Sequence, residues 1–222
     1  MIQRNSTFII DELRSNDYEI ATVYDIGANK GEWSKEWKNK LPEANFYMFE
    51  ANPSIKLRGN FFNCTLSDED GKDVKFYLPN MSNSYPTGAS YYKEASVYYS
   101  QDKHINVKTK KLDTLINDNS LPSPDFMKLD TQGSEPDILK GATEALKKCK
   151  VITCEMPIMP YNENAPEFSE YIKILKDNGF IPSGCDKIDA KTKGIFNQID
   201  IVFVKRNILE KIHNFSSFYK GY

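Results

Sequence analysis

Short apolar runs alternate with amphipathic stretches along this chain. The apolar runs predict strands at residues 22–28, 45–51, 61–66, 74–78, 104–110, 124–130, 151–155 and 198–204, with another beginning at Phe180. Apolar residues at helical spacing predict helices at 6–20, 31–41, 136–149, 166–178 and 207–219, with short helical segments after Pro53 and at 112–116. This alternation indicates an α/β fold with a mainly parallel sheet.

Length and charge narrow the class of protein. The 222 residues predict one domain, 1–222, with an N-terminal helix inside 1–20 and a C-terminal helix inside 207–222. A net charge of −2 gives no reason to expect nucleic acid or an anionic membrane as a partner. We expect a cytoplasmic protein with reduced cysteines, no signal peptide and no membrane span, because residues 1–16 are charged and no long apolar run follows.

The segment Val23–Gly31 joins an apolar strand to a turn that contains glycine. Gly27 and Gly31 let a ligand approach backbone N–H groups closely, because glycine has no Cβ. The next strand ends at Glu50, 25 positions after Asp25. Nucleotide-binding units place a ribose-binding carboxylate at about this distance. The segment therefore predicts a nucleotide site, and the alternative is an ordinary strand–helix turn that binds none.

The same residues indicate which nucleotide would bind. A dinucleotide site needs the glycines of G-x-G-x-x-G, and Asn29 replaces the second. A phosphate loop needs Gly-Lys-Ser/Thr, whereas Glu32 follows Gly31. Asp25 and Glu50 would repel a polyanion and suit a cationic ligand that has an amino group and a ribose. S-adenosylmethionine meets these requirements.

Acidic residues end several of the predicted strands, namely Asp25, Glu50, Asp130 and Glu155. Ligands of open parallel sheets bind outside the carboxyl ends of the strands, so we expect these acids to share one edge. Glu135 lies one turn after Asp130 and is expected to join them. His104 is a less favoured candidate for a catalytic base because it precedes a strand, and His213 is expected to be inert.

Residues 80–101 show no clear period. The segment contains several tyrosines among serines, namely Tyr85, Tyr91, Tyr92, Tyr98 and Tyr99. Long irregular segments of compact domains are often lids or binding loops, so 80–101 is a candidate acceptor loop. The alternative is a surface excursion whose tyrosines pack on the domain.

Two motifs resemble those of a known family. They are Asp25-Ile-Gly-Ala-Asn-Lys-Gly31 and Lys128-Leu-Asp-Thr-Gln-Gly-Ser-Glu135, the second followed by Leu139-Lys-Gly-Ala142. With further matches over about residues 20–206, the chain resembles the FkbM family of S-adenosylmethionine-dependent methyltransferases. The resemblance implies a Rossmann-like methyltransferase fold, in which helices cover both faces of a mainly parallel seven-stranded sheet whose last strand is antiparallel.

The expected cofactor is S-adenosylmethionine, and its predicted contacts are Asp25, Gly27, Ala28, Asn29, Gly31, Glu50 and Ala51. The resemblance adds Ser67 and Asp68 beside the adenine. Transfer to a hydroxyl requires positioning and a base, for which Asp130, Glu135 and Glu155 are the candidates. No metal ligand is predicted, although a divalent metal held by these acids is a less favoured alternative.

The resulting hypothesis is an O-methyltransferase that acts on a sugar hydroxyl of a glycan precursor or a glycosylated metabolite. Its partner would be a small-molecule or glycan acceptor. Two alternatives stay open: the same fold could methylate an amine or an oxygen acid, or it could be a binding module that keeps the cofactor turn without catalysis.

Overall fold

The computed structural model describes residues 4–80, 88–189 and 197–213. The strands are β1 Thr22–Ile26, β2 Asn45–Glu50, β3 Asn60–Asn63, β4 Thr65–Leu66, β5 Asp73–Tyr77, β6 His104–Lys110, β7 Phe126–Leu129, β8 Val151–Pro157, β9 Phe180–Asp189 and β10 Gln198–Lys205. The helices are α1 Ser6–Ser15, α2 Glu32–Lys40, α3 Leu112–Asp118, α4 Glu135–Lys140, α5 Thr143–Lys148, α6 Phe168–Asp177 and α7 Arg206–His213, with a 3₁₀ turn at Val97–Tyr99.

The main sheet has seven strands in the order β3-β2-β1-β7-β8-β10-β9. Strands β3, β2, β1, β7 and β8 pair in parallel, whereas β10 is antiparallel to both of its neighbours. The expected α/β fold, with a mainly parallel sheet and its last strand antiparallel, is confirmed. Because β1 lies between β2 and β7, the carboxyl ends of these three strands meet at one edge of the sheet.

Helices cover both faces of the main sheet, as expected. Phe126 of β7 packs in a core layer with Trp37 and Leu209, which belong to α2 and α7. Its neighbour Met127 packs in the other layer with residues of α3 to α6, including Leu146. Successive side chains of a strand point to opposite faces, so one short apolar strand serves both layers. Within the described ranges, no helix is long and apolar enough to cross a membrane.

The predicted strand 61–66 is wrong in one respect, because it is two strands in different sheets. β3 pairs with β2, whereas β4 pairs with β6 in a separate three-stranded sheet of order β4-β6-β5. The side-chain amide of Asn63 donates to the carbonyls of Glu50 and Asn52 at 2.8 and 3.1 Å, which ends β3 against the end of β2. Residues 53–54 form a turn instead of the predicted short helix.

The predicted helix 136–149 is also two elements, α4 and α5, which separate at Gly141. A Cβ at Gly141 would lie 2.1 Å from the carbonyl oxygen of Ser67, so the close backbone contact requires glycine. The carboxylate of Asp113 then accepts backbone N–H groups from the first turn of α5. A contact that is distant in sequence therefore divides what the local pattern presents as one helix.

The N-terminal helix is shorter than predicted. Helix α1 ends at Ser15, five residues before the predicted end, and Asp17 adopts a left-handed φ of +63° just after it. Ile20 is buried but lies outside the helix. The C-terminal helix is described as far as His213, and the remainder of the predicted range lies outside the described residues.

Candidate active site

A cavity of about 390 Å³ lies at the carboxyl edge of the main sheet. Among the predicted site residues, its wall contains Gly27, Asn29, Glu50, Ala51, Asp130 and Glu155. The wall does not include Asp25, Ala28, Gly31, Ser67, Asp68 or Glu135. The structure therefore brings half of the predicted set to the cavity.

The turn after β1 needs its glycines because three strand ends meet there. Gly27 has a φ of +78°, and a Cβ on it would lie 1.9 Å from the carbonyl oxygen of Asp130. The N–H groups of Gly27 and Ala28 both donate to the carbonyl of Phe49, at 2.9 and 3.0 Å. Gly31, with a φ of +73°, directly precedes α2. These backbone contacts hold the ends of β1, β2 and β7 together.

Glu50 lies at the end of β2 and faces the cavity. Its Oε2 accepts the N–H of Asn29 at 2.7 Å, and its Oε1 accepts the N–H of Asn52 at 2.8 Å. Burial raises the pKa of Glu50, although these two N–H groups oppose the shift. A carboxylate oxygen accepts more than one hydrogen bond, so Glu50 can still accept hydrogen bonds from a ligand.

Asp25 differs from its predicted place, because it lies behind the turn and is fully buried. Its Oδ2 accepts a hydrogen bond from the hydroxyl of Ser34 at 2.7 Å. Its Oδ1 has no hydrogen bond and lies 3.5 Å from Nζ of Lys128. Asp25 therefore connects β1 to α2 and to β7 without contributing to the cavity wall.

Lys128 places a cation inside an apolar strand. Its Nζ lies 3.1 Å from Oδ2 of Asp130, in addition to its contact with Asp25. Burial opposes the charge, but the carboxylates of Asp130 and Asp25 outweigh it and raise the pKa of Lys128. The lysine is therefore a fixed positive charge behind the wall. Asp130 itself exposes 34% of its side chain, so it is accessible from the cavity.

Glu155 is the most enclosed acid of the wall, at 8% exposure. Its Oε1 accepts from Nε2 of Gln132 and its Oε2 from Nε2 of Gln198, both at 2.5 Å. Burial raises the pKa of Glu155 to about 9, and the neighbouring carboxylates, first of all Asp130, act in the same direction. Burial likewise raises the pKa of Asp200, its partner on β10, to about 6.

Glu135 does not join the polar wall, contrary to the prediction. It is fully buried and accepts the N–H groups of Thr131 at 2.5 Å and Gly133 at 2.9 Å. It also accepts the hydroxyl of Tyr171 at 3.0 Å. Burial raises the pKa of Glu135. Glu135 therefore stabilises the conformation of the turn after β7, whose N–H groups it binds.

The described part of the tyrosine-rich segment, 88–101, contributes to the wall and also contacts α4. The hydroxyls of Tyr91 and Tyr92 donate to the same oxygen of Asp137, at 3.0 and 2.7 Å. Tyr91 also lies 3.3 Å from the hydroxyl of Ser67, which can donate its one hydrogen either to Tyr91 or to Asp68. Burial raises the pKa of both tyrosines, so they stay protonated. The wall residues from this segment are Gly88, Ala89, Tyr91 and Glu94.

Sequence reasoning assigned no role to several polar groups that the structure brings to the site, namely Lys128, Gln132, Lys187 and Gln198. Only Lys128 has a local signal, a charge within an apolar strand. The two glutamines become recognisable once β7, β8 and β10 are placed side by side. His104 lies outside the wall, and its Nδ1 is 2.8 Å from the carbonyl oxygen of Asp102.

The chemistry at the β2 end of the cavity fits S-adenosylmethionine. Glu50 presents carboxylate oxygens of the kind that bind ribose hydroxyls. Phe49, Leu66 and Ile138 add apolar surface that suits a flat base. In the part of the chain that the structure describes, no group of three or more His, Cys, Asp or Glu side chains is arranged to hold a metal ion.

Residues 25–182, which contain the turn, Glu50 and the whole Lys128–Glu135 motif, match the methyltransferase FkbM domain. This match covers more than half of the chain, and the chain therefore belongs to the FkbM methyltransferase family.

Two curated relatives and one solved structure are similar to this chain. The 2-O-methyltransferase NoeI of Sinorhizobium fredii is 27% identical over 152 residues, which are 60% of this chain and 62% of NoeI. The hexuronic acid methyltransferase AglP of Haloferax volcanii is 23% identical over 187 residues, 78% of this chain and 72% of AglP. The methyltransferase FkbM structure from Methylobacillus flagellatus is 14% identical, with a TM-score of 0.49, and the match covers 91% of this chain and 48% of that one. This chain thus spans under two thirds of NoeI.

Proposed function

We propose that this protein transfers a methyl group from S-adenosylmethionine to a hydroxyl of a sugar. The observation that carries the proposal is one continuous cavity with two chemically different ends. Glu50 and the turn at Gly27 and Asn29 form one end. Carboxylates and side-chain amides form the other, namely Asp130, Gln132, Glu155 and Gln198. Such groups are the usual hydrogen-bond partners of sugar hydroxyls.

The relatives support a sugar as the acceptor. NoeI is named as a 2-O-methyltransferase and AglP as a hexuronic acid methyltransferase. Both names fit a cavity whose far end consists of hydrogen-bonding side chains. The identities are low, so the names support the acceptor class and leave the individual sugar open.

Each end of the cavity has a proposed role. Glu50 holds the ribose hydroxyls of the cofactor, and the apolar group of Phe49, Leu66 and Ile138 lies against its adenine. When bound, S-adenosylmethionine supplies an electrophilic methyl group on a positively charged sulfur. The protein's own task is then to orient the acceptor hydroxyl and to accept its proton.

Asp130 is the proposed catalytic base. It is the more accessible of the two wall acids on β7 and β8, and Lys128 stabilises its negative charge at 3.1 Å. Glu155 is less suitable, because burial and its acidic neighbours raise its pKa to about 9 and keep it protonated near neutral pH. We therefore assign Glu155 to binding of the acceptor and proton removal to Asp130.

The test is a screen of sugars with S-adenosylmethionine, in which formation of S-adenosylhomocysteine is measured. Each active sugar is compared with analogues that lack single hydroxyls. With an active sugar, Asp130→Asn should lower kcat by about 10²- to 10⁴-fold, the usual effect of losing a general base. Cofactor affinity should stay unchanged, because the amide keeps the shape of the side chain. The exposed Asp11→Asn variant is the control, and unfolding temperatures are measured because Lys128 loses a carboxylate.

Other results would lead to other assignments. Transfer to amines or carboxylates without transfer to hydroxyls would favour an enzyme of the same fold that methylates an amine or an oxygen acid. Cofactor binding without turnover on any acceptor would favour a binding module. Near-normal turnover by Asp130→Asn with weaker cofactor binding would make Asp130 a cofactor ligand. Activity that a chelator abolishes and magnesium restores would make the acids metal ligands.

A further inference from the structure

Gln132 lies between the two carboxylates of the cavity wall. Its Nε2 is 3.1 Å from Oδ1 of Asp130 and 2.5 Å from Oε1 of Glu155. A primary amide carries two hydrogens, so it has one for each carboxylate. We propose that Gln132 is a positioning residue that holds Asp130 and Glu155 as a pair with a fixed separation.

Gln198 lies on the other side of Glu155, and its hydrogen bonds define the orientation of its side-chain amide. The hydroxyl of Tyr161 donates to Oε1 of Gln198 at 3.1 Å. The oxygen of that amide is thereby occupied, and its Nε2 is directed to Oε2 of Glu155. Glu155 is consequently held by an amide hydrogen on each oxygen. Gln132 differs from Gln198 because it alone also reaches Asp130.

The backbone of Gln132 is held in an unusual conformation. Its φ of +58° is in the left-handed region, which a non-glycine residue adopts only when its surroundings require it. Glu135 binds the N–H groups on either side, those of Thr131 and Gly133. The side-chain amide of Asn162 donates to the carbonyl of Gln132. These buried contacts aim the Gln132 side chain at the carboxylates, which gives Glu135 an indirect role in the site.

The charges around Glu155 explain why such a residue is useful. The titratable groups that face it are Asp130 and Lys128 from β7, Glu135 from α4, Asp200 from β10 and Tyr161 after β8. Most of them are acids, so they disfavour the ionised form of Glu155, which needs hydrogen-bond donors. An amide hydrogen favours the ionised form of a carboxylate. Loss of the Gln132 amide should therefore raise the pKa of Glu155.

The roles of Asp130 and Glu155 toward an acceptor rest on the proposed function, but the bridge can be tested without an acceptor. Protein labelled with ¹³C at the glutamate carboxyls is titrated by NMR, and the Glu155 signal is assigned with Glu155→Gln. Gln132→Met keeps the length without a donor. Gln132→Asn keeps an amide that is too short, on a residue type that tolerates the left-handed backbone. The exposed Gln101→Met is the control.

Both Gln132 variants should raise the apparent pKa of Glu155 by about one pH unit, the size expected for one lost hydrogen bond, and the control should not. With an active sugar, the alkaline limb of the kcat profile, where Glu155 loses its proton, should move to higher pH while cofactor affinity stays unchanged. If Gln132→Met fails to fold, Gln132→Asn decides alone. An unchanged Glu155 titration in the folded variants would overturn the proposal. Failure of the proposed function would instead appear as wild-type protein that methylates no sugar, with the NMR result unaffected.

Discussion

The acids of this site have the same chemistry in the sequence, and their surroundings give them different uses. Asp25 and Glu135 are fully buried and use their oxygens to hold Ser34 and the turn after β7. Glu50 and Asp130 line the cavity and keep lone pairs free for a ligand. A buried carboxylate needs hydrogen bonds from the protein, and an acid that spends its oxygens in this way is less available for binding.

Glu50 gives a test of the cofactor end. Glu50→Ala should weaken binding of S-adenosylhomocysteine by about 1–3 kcal/mol, because ribose hydroxyls would lose their partner and Asn29 its acceptor. Isothermal titration calorimetry measures the change, and Glu43→Ala, at an exposed glutamate, is the matched control. Unchanged affinity would remove Glu50 from the cofactor site, and tighter binding of NAD than of S-adenosylmethionine would contradict the assignment of the cofactor.

The sequence was sufficient to predict an acid at each of several strand ends, because an apolar run followed by Asp or Glu is visible locally. The sequence could not show that Glu135 and Asp130 have different roles. Their roles depend on Tyr171, which binds Glu135 from α6, and on Lys128, which reaches Asp130 from within β7. Both partners are identified only when side chains are placed in three dimensions.

At the scale of elements, the predicted role and the observed contacts differ most for the segment 88–101. The sequence presents its tyrosines as a candidate acceptor loop. In the structure, Tyr91 and Tyr92 bind Asp137 of α4, and Tyr91 also approaches Ser67. Ser67 is the residue that the family resemblance places beside adenine. The contact of Tyr91 with Ser67 therefore favours a role for this tyrosine at the expected cofactor end.

This placement predicts different effects for two neighbouring tyrosines. Tyr91→Phe should weaken cofactor binding by about 1 kcal/mol, because Ser67 would lose the Tyr91 hydroxyl as an acceptor. Tyr92→Phe also loses a bond to Asp137, but the hydroxyl of Tyr92 is bonded to Asp137 and that of Tyr91 to Ser67, so Tyr92→Phe should leave cofactor affinity near the wild-type value. Calorimetry with both variants gives the comparison. A higher KM for the acceptor with unchanged cofactor affinity in Tyr91→Phe would return the segment to the role of an acceptor loop.

Element boundaries show the limit of local patterns most clearly. The helix over 136–149 and the strand over 61–66 have continuous apolar spacing, and each is interrupted in the structure. Gly141 must lie against the backbone of Ser67, and Asn63 must bind the end of β2. Both interruptions result from one place where β3, β4 and α4 converge beside the cavity. Contacts of long sequence separation override propensity there.

At the scale of the whole molecule, the strand order determines which charges meet. β1 and β7 are neighbours although about a hundred residues separate them, and Asp25 is paired in register with Lys128. The alternating pattern predicts a parallel sheet without its order, whereas the family resemblance supplied the seven strands and the antiparallel last one. The ion pairs of Lys128 follow from that order and were not visible in the sequence.

The buried acids Glu155 and Asp200, which are neighbours on β8 and β10, predict how the free energy of unfolding depends on pH. Burial raises the pKa of Glu155 to about 9 and that of Asp200 to about 6, so the folded protein retains protons that the unfolded chain releases. A raised pKa in the folded state means that the stabilisation is complete below the unfolded pKa and is lost as pH rises through the folded pKa. Stability should therefore fall between about pH 5 and pH 9.

The size of this effect can be measured by calorimetric unfolding across that range. One extra proton in the folded state corresponds to about 1.4 kcal/mol per pH unit, or about 3–6 °C in Tm for a protein of this length. Glu155→Gln has no proton to release and should flatten most of the slope, while Glu43→Gln, at an exposed site, should leave it intact. A wild-type Tm that rises from pH 6 to pH 8 would contradict the prediction, because it would mean that the buried acids are ionised in the folded state.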